Sequence, residues 1–322
     1  MPPLFFFCSS DLGRDSPKPT AFPNLAMSQH LPYYLGCPAW SNREWIGKVF
    51  RKGTESNELL REYARVFNTA EGNTLFYALP PMATVERWMA ETSDAFRFAP
   101  KFPKSISHER RLSGAEEENK AFFKILTALA HGNKLGVSFL QLPPSFNINN
   151  LDTLRDYLKS LPSDFSYAVE PRHISFYDKG DNEKRLDDLL ENQGIDKVVF
   201  DTRPLWSSEP DDKEREARER KPQMPVRHVA LAKHPVIRFV GKNDVEKNEI
   251  FVKEWAPVIN KWILEGKRPY LFAHAGDDTF APYVARKLHQ QLKRINPLLP
   301  DLPEFESDRI KPDEEIEQLD LF

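Results

Sequence analysis

Glycine is scarce, with 13 in 322 residues, and cysteine scarcer still, with two. Neither G-x-G-x-x-G nor G-x-x-x-x-G-K-[ST] occurs, which argues against the common loops that wrap a nucleotide's phosphates in backbone N–H groups. Cys8 and Cys37 cannot supply a disulfide framework or a four-cysteine zinc site. There is no run of about 18 uncharged apolar residues, so no apolar membrane-spanning helix is expected. The opening Met1-Pro2-Pro3-Leu4-Phe5-Phe6-Phe7-Cys8 is apolar but has no basic residue ahead of it and no small-residue cleavage site. It therefore makes a poor secretory signal, and a cytoplasmic protein is the expectation, with Met27 a second candidate start.

A large net charge is also missing, since 45 basic side chains nearly balance 48 acidic ones. That balance is an average over unlike segments. Residues 296–322 hold nine acidic and two basic side chains, leaving a mildly basic body of net +4. Nine of the 27 prolines fall in residues 1–30 and 296–322. Both ends lack hydrophobic periodicity, so they are expected to be disordered tails. Residues 209–221 mix six acids with five bases and read as a solvated insertion or surface helix.

Between the tails, short β-type runs alternate with helical ones. The strand candidates are Tyr33–Cys37, Thr69–Glu71, Phe96–Lys101, Leu135–Gln141, Ser166–Glu170, Val198–Asp201, Val236–Val240 and Tyr270–His274. Helical spacing marks Leu59, Leu60, Tyr63, Val66 and Phe67, then Phe122 to Leu129, then Phe251, Trp255, Val258, Trp262 and Ile263. Eight such units in residues 31–295 predict a single-domain TIM-like (β/α)8 barrel, for which about 250 residues is typical. A doubly wound open sheet is the alternative, and it more often has five or six strands.

Each candidate strand ends in, or runs directly into, polar residues. They are Cys37 and Trp40, Glu71 and Asn73, Lys101 with His108 beyond, Gln141, Glu170 with Arg172 and His173, Asp201 with Arg203, Arg238, and His274. In a barrel these positions share the face where catalysis is housed. Clustered carboxylates such as Glu71, Glu170 and Asp201 can act as an acid/base pair or hold a divalent metal, while Lys101, Arg172, Arg203 and Arg238 can grip phosphate or carboxylate oxygens. The structural alternative is a buried ion network in which these groups satisfy one another. His108, His173 and His274 have no fixed metal-ligand spacing, although a site assembled from several strands with Glu71, Glu170 and Asp201 is conceivable. Cys37 reads first as a small buried hydrophobe and only second as a nucleophile. Trp40, Trp45, Phe76 and Tyr77 could line a ligand pocket or fill the core.

The same residues carry a resemblance to the YecE-like proteins, the family labelled domain of unknown function 72. The matching pieces are Gly36-Cys37-Pro38-Ala39-Trp40-Ser41, Trp45-Ile46-Gly47, Glu71-Gly72-Asn73-Thr74-Leu75-Phe76-Tyr77, Thr84-Val85-Glu86-Arg87-Trp88 and Phe96-Arg97-Phe98-Ala99-Pro100-Lys101. They continue with Ile106-Ser107-His108, Gln141-Leu142-Pro143-Pro144, Val169-Glu170-Pro171-Arg172-His173 and Asp201-Thr202-Arg203. The resemblance spans about residues 33 to 290 and implies a TIM-barrel-like fold, with no settled reaction. It points to Glu71, Asn73, Lys101, His108, Gln141, Glu170, Arg172, His173 and Asp201 as the site. The chain departs from the family pattern after strand seven, where Arg238-Phe239-Val240-Gly241 lacks a histidine, and after strand eight, where His274 is placed to compensate.

The chain ends Gln318-Leu319-Asp320-Leu321-Phe322. This resembles the pentapeptide by which bacterial DNA polymerases and repair proteins dock onto the sliding clamp, with Gln318, Leu319, Leu321 and Phe322 as the contacting residues. Two functions follow as expectations. One is a hydrolase or lyase, phosphodiesterase-like, acting on an anionic substrate. In it Glu71, Glu170, His173, Asp201 and His108 carry the chemistry, while Trp40, Asn73, Tyr77, Lys101, Gln141, Arg172, Arg203, Arg238 and His274 bind the substrate. The other is a non-catalytic binding protein recruited to a clamp by its tail.

Overall fold

All eight runs read as strands form strands, and every pairing is parallel. The computed structural model describes residues 31–309. The strands are β1 (Tyr34–Gly36), β2 (Thr69–Gly72), β3 (Arg97–Pro100), β4 (Ser138–Gln141), β5 (Tyr167–Glu170), β6 (Asp196–Asp201), β7 (Val236–Val240) and β8 (Tyr270–His274). Around them lie α1 (Leu59–Val66), α2 (Thr74–Tyr77), α3 (Met82–Ala90), α4 (Glu116–His131), α5 (Leu151–Lys159), α6 (Asp181–Asn192), α7 (Arg203–Trp206), α8 (Asp212–Arg220), α9 (Glu249–Leu264), α10 (Ala281–Ile295) and α11 (Glu306–Arg309). No helix of the described residues is long and apolar enough to cross a membrane.

The ladders come in two pieces where one closed ring was expected. Six strands form a sheet in the order β1-β8-β7-β6-β5-β4, and β2 pairs with β3 in a separate ribbon. Isolated bridges, Phe98 with Leu135 and Lys101 with Phe139, tie the ribbon toward β4. On its other side, the N–H of Glu71 donates to the carbonyl of Cys37 at 3.2 Å. Gly36 permits that approach, because a Cβ there would lie 2.0 Å from the Thr69 carbonyl oxygen.

Side chains alternate across a strand with period two, and this sorts the core into two layers. Tyr34, Ala99, Val137, Phe139, Ala168, Val198, Val236, Tyr270 and Phe272 point inward and form one apolar cluster. Their chain neighbours, among them Leu35, Phe98, Leu140, Val169, Val199, Ile237 and Leu271, pack outward against the helices. An inner cluster drawn from seven strands requires the sheet to curl. Each fully buried Val, Leu or Phe contributes about 1.5–3 kcal/mol, so this layering is the main stabilising force.

One charged segment differs from its expectation, and a second agrees with it. Residues 296–309, assigned to the acidic tail by composition, pack on the fold. Phe305 is fully buried, Arg286 lies 3.3 Å over its ring, and Arg286 pairs with Asp308 at 2.7 Å. The mixed stretch at 209–221 forms the largely exposed helix α8, in keeping with the surface-helix reading, with Glu214 buried against Lys242 at 2.7 Å. The amino-terminal 30 residues and the pentapeptide Gln318 to Phe322 lie outside the described residues.

Candidate functional site

Because alternate strand residues face inward, the inward layer at the carboxyl ends of the strands is set by parity. It comprises Glu71 from β2, Lys101 just after β3, Gln141 from β4, Glu170 from β5, Phe200 from β6, Arg238 from β7 and His274 from β8. The large apolar floor below makes this a low-dielectric place for charge.

Arg238 is the hub. Its Nε donates to Glu71 Oε1 at 2.6 Å, one terminal nitrogen to Glu71 Oε2 at 3.1 Å, and the other to Glu170 Oε2 at 2.8 Å. Glu71 also accepts from Asn73 Nδ2 at 2.7 Å and lies 3.0 Å from His274 Nε2. Glu170 accepts from Gln141 Nε2 at 2.7 Å and from Arg172 Nε. The guanidinium carbon of Arg172 lies 3.7 Å from the Phe200 ring centre, and that of Arg238 lies 5.4 Å from the same centre.

Burial alone would push both carboxyls up. Arg238 and His274 overcome it at Glu71 and hold that group well below the usual carboxylate range. Arg172 and Arg238 hold Glu170 at about 2. Burial lowers His274 despite Glu71, so its imidazole is neutral near neutral pH. Lys101 differs from the other cations, because among the described residues it has neither ion pair nor hydrogen bond. Its Nζ sits 4.1 Å over the Phe76 ring, and burial, aided by Arg238, lowers it to about 8.

His108 stands at the edge of this group. It lies in a π-helical turn, Ser105–Glu109, a feature that often marks functional positions. The ring meets Phe76 edge-on at 5.1 Å, and its Nδ1 lies 2.8 Å from Ser107 Oγ. Burial, with Lys101 nearby, lowers it to about 4.

Other expected site residues lie elsewhere. Asp201 follows the inward-facing Phe200 and so faces the helices, where Arg203 grips it through three hydrogen bonds of 2.8 to 3.0 Å and Trp255 Nε1 donates at 2.8 Å. Arg203 also reaches Glu254 and takes no part in the cluster. His173 caps the short turn Ile174–Phe176 by accepting the Ser175 N–H. Trp40 packs outside β3, edge-on to Trp88 and Phe98. Tyr77 is 80% exposed beside Phe76, on a groove of about 630 Å³ that reaches Pro103 and Glu118. Cys37 is fully buried, and burial pushes its thiol well up, as befits a packing residue. Sequence reading did not single out Phe200, though period two from Val198 marks it as inward.

Among the described residues, no group of three or more His, Cys, Asp or Glu side chains is arranged to hold a metal ion. The guanidinium of Arg238 occupies the place between Glu71 and Glu170 where such an ion would sit.

A curled set of parallel strands with charged side chains converging at their carboxyl ends defines a TIM-like α/β protein with a polar site on the face where barrels house chemistry. The family model described as "Protein of unknown function DUF72" matches residues 34–306, and the chain belongs to that family. It is 37% identical over 271 residues to the UPF0759 protein YecE of Escherichia coli strain K12, covering 84% of this chain and 96% of that one. It is 29% identical over 150 residues to the UPF0759 protein YunF of Bacillus subtilis, covering 45% of this chain and 52% of that one. Its fold is similar to a DUF72 family protein from Enterococcus faecalis, with a TM-score of 0.61 at 18% identity over 81% of this chain and 95% of that chain. It is likewise similar to one from Thermotoga maritima, with a TM-score of 0.60 at 22% identity over 82% and 98%.

Proposed function

We propose that the chain is an enzyme acting on a small carboxylate- or phosphate-bearing substrate at the mouth of a closed (β/α)8 ring. The observation that carries this reading is the uncompensated Lys101. Three cations, Arg238, Arg172 and Lys101, face two carboxylates, and Arg238 and Arg172 already neutralise both. A cation that is mostly buried and has no ion-pair partner among the described residues is costly, and an incoming anion relieves that cost. Ring closure is supported by Glu71 on β2 reaching Arg238 on β7 and His274 on β8 across the interior.

This arrangement changes the roles expected of the carboxylates. A carboxylate held at about 2 is too weak a base for proton transfer near neutral pH, so Glu170, like Glu71, fixes the cations in place. Lys101, at about 8, has a proton available to give or take at working pH. A hydrolase or lyase of an anionic substrate, phosphodiesters included, would draw its acid/base chemistry from Lys101, with His274 on Glu71 in the same layer and His108 at the rim.

Thermal unfolding of the purified full chain with inorganic phosphate and with pyruvate tests the anion site. Saturating ligand at about 100 times its Kd adds about 2.7 kcal/mol, a rise in Tm of several degrees. That rise is expected to vanish in Lys101→Met. Absence of stabilisation by any small anion would overturn the reading.

The terminal Gln318-Leu319-Asp320-Leu321-Phe322 supports a second reading, docking on a DNA sliding clamp. Pull-down by the clamp, with and without residues 318–322, tests it, and equal recovery would sink it.

A further inference from the structure

We propose that Lys101 is a nucleophilic amine that condenses with the carbonyl carbon of an oxo acid, whose carboxylate docks on Arg172. This rests on the anion-binding reading above and names the substrate class and the step.

Three observations converge on it. First, the ammonium of Lys101 is uncommitted. Its face contact is the Phe76 ring at 4.1 Å, and Arg172 and Arg238 are the neighbouring cations. A desolvated lysine next to other cations is the standard arrangement for a reactive amine. Second, Arg172 donates to Glu170 through Nε, and its guanidinium carbon lies 3.7 Å from the Phe200 ring centre. Among the described residues its two terminal nitrogens have no hydrogen-bond partner, which leaves a fork suited to a carboxylate. Third, neither group is sealed off. The fully buried polar atoms without partners among the described residues are on Ser138, Gln193, Asp278 and His289, so Lys101 Nζ and the Arg172 fork keep contact with solvent. Arg172 donates to Glu170, and the charge of Lys101 also acts on that carboxylate, so the amine and the fork share one fixed neighbour.

The chemistry balances without a cofactor. The neutral amine forms a C–N bond to the carbonyl carbon. The carbonyl oxygen takes up the two amine protons and leaves as water, and one proton from solvent converts the imine to an iminium. The iminium then draws a bonding electron pair toward nitrogen and becomes an enamine. Either an α-proton passes to solvent water, or, in a substrate with a hydroxyl one carbon further on, the C–C bond breaks. In the second case that hydroxyl's proton passes to solvent water and the fragment leaves as an aldehyde or ketone, which is the lyase outcome. Glu71 and Glu170, held ionised, stabilise the iminium's positive charge.

Borohydride trapping tests this. The full chain is incubated with pyruvate, and in parallel with hydroxyacetone as an uncharged carbonyl probe, then reduced with sodium borohydride and analysed by intact mass and peptide mapping. One adduct per chain is expected, on Lys101, absent in Lys101→Arg with its fold verified by circular dichroism. Arg172→Met is expected to lose the pyruvate adduct and keep the hydroxyacetone adduct. An adduct that survives in Lys101→Arg, or none with either probe, overturns the proposal. Stabilisation by pyruvate without an adduct overturns the imine and leaves the anion site standing. A hydroxyacetone adduct without stabilisation by anions overturns the anion site alone.

Discussion

Replacing Arg238 by methionine asks whether one guanidinium keeps two buried carboxylates ionised. In the native chain it donates to Glu71 at 2.6 and 3.1 Å and to Glu170 at 2.8 Å, with all three side chains buried. Removing one member of such a group strands charge in low dielectric and costs about 3–5 kcal/mol. The two carboxylates do not lose equally. Glu170 keeps Arg172 and Gln141, whereas Glu71 is left with Asn73 and a neutral His274, so the loss falls mainly on Glu71. The expected deficit is therefore about 3–5 kcal/mol near pH 7, a large share of the roughly 5–15 kcal/mol typical of whole domains. Its pH dependence identifies the cause. In the native chain both carboxyls titrate below their unfolded value of about 4.3, so the stability they confer is complete above it. It is lost only as pH falls through the folded values, about 2 for Glu170. In Arg238→Met, burial without a counter-charge raises Glu71 above the unfolded value. Its penalty is then absent below the unfolded pKa and grows as pH rises toward the folded pKa. Urea unfolding from about pH 7 down to about pH 5 should therefore recover stability in the variant by up to about 1.4 kcal/mol per pH unit, with no matching gain from these groups in the parent. A further Glu71→Gln change should abolish that recovery. A deficit under about 1 kcal/mol, or one equal at every pH, would refute the argument.

Asp201→Asn should cost about 1.5–3 kcal/mol by weakening the charged hydrogen bonds to Arg203 and Trp255, with stabilisation by phosphate unchanged; loss of that response in a folded variant would return Asp201 to the site. Lys242→Met strands the buried Glu214 and should lower stability by about 3–5 kcal/mol in urea titrations, and a change within about 0.5 kcal/mol would show the pair to be solvated. Phe305→Ala should cost about 3–5 kcal/mol, because its ring fills space beside Phe67, Tyr283 and Arg286, whereas a neutral result would place residues 296–309 off the fold. Anion affinity should weaken as pH rises through about 8, where Lys101 loses its proton, and a flat titration of binding from pH 7 to 9 would remove Lys101 from the anion site.

The strands were legible because each is a short apolar run ending in a polar residue, a pattern that needs no long-range information. The same runs contain the parity that sorts Phe200 inward and Asp201 outward, but polar strand ends were read there without it. Trp40 and His173 show a different limit. What they touch is set by α3, β3 and the turn at Ile174–Phe176, which sit far off in sequence or depend on backbone geometry. At residues 209–221 composition marked a surface helix but could not show the burial of Glu214, which follows only when Lys242, 28 positions away, is brought against it.

The charge balance of the mouth shows why listing residues falls short of assigning them. Glu71, Glu170, Lys101, Arg172 and Arg238 were all legible as ionisable groups at strand ends, and a sequence leaves open which of them neutralise one another. The geometry commits both carboxylates to arginines, so the groups that look like acid and base are spent on holding charge. What remains, among the described residues, is an amine with no acceptor, over an aromatic face, with an arginine nearby whose fork is open. On this reading the amine supplies the proton or the electron pair, because both carboxylates and Arg238 would first have to break a buried hydrogen bond and the open fork of Arg172 stays protonated and can only bind.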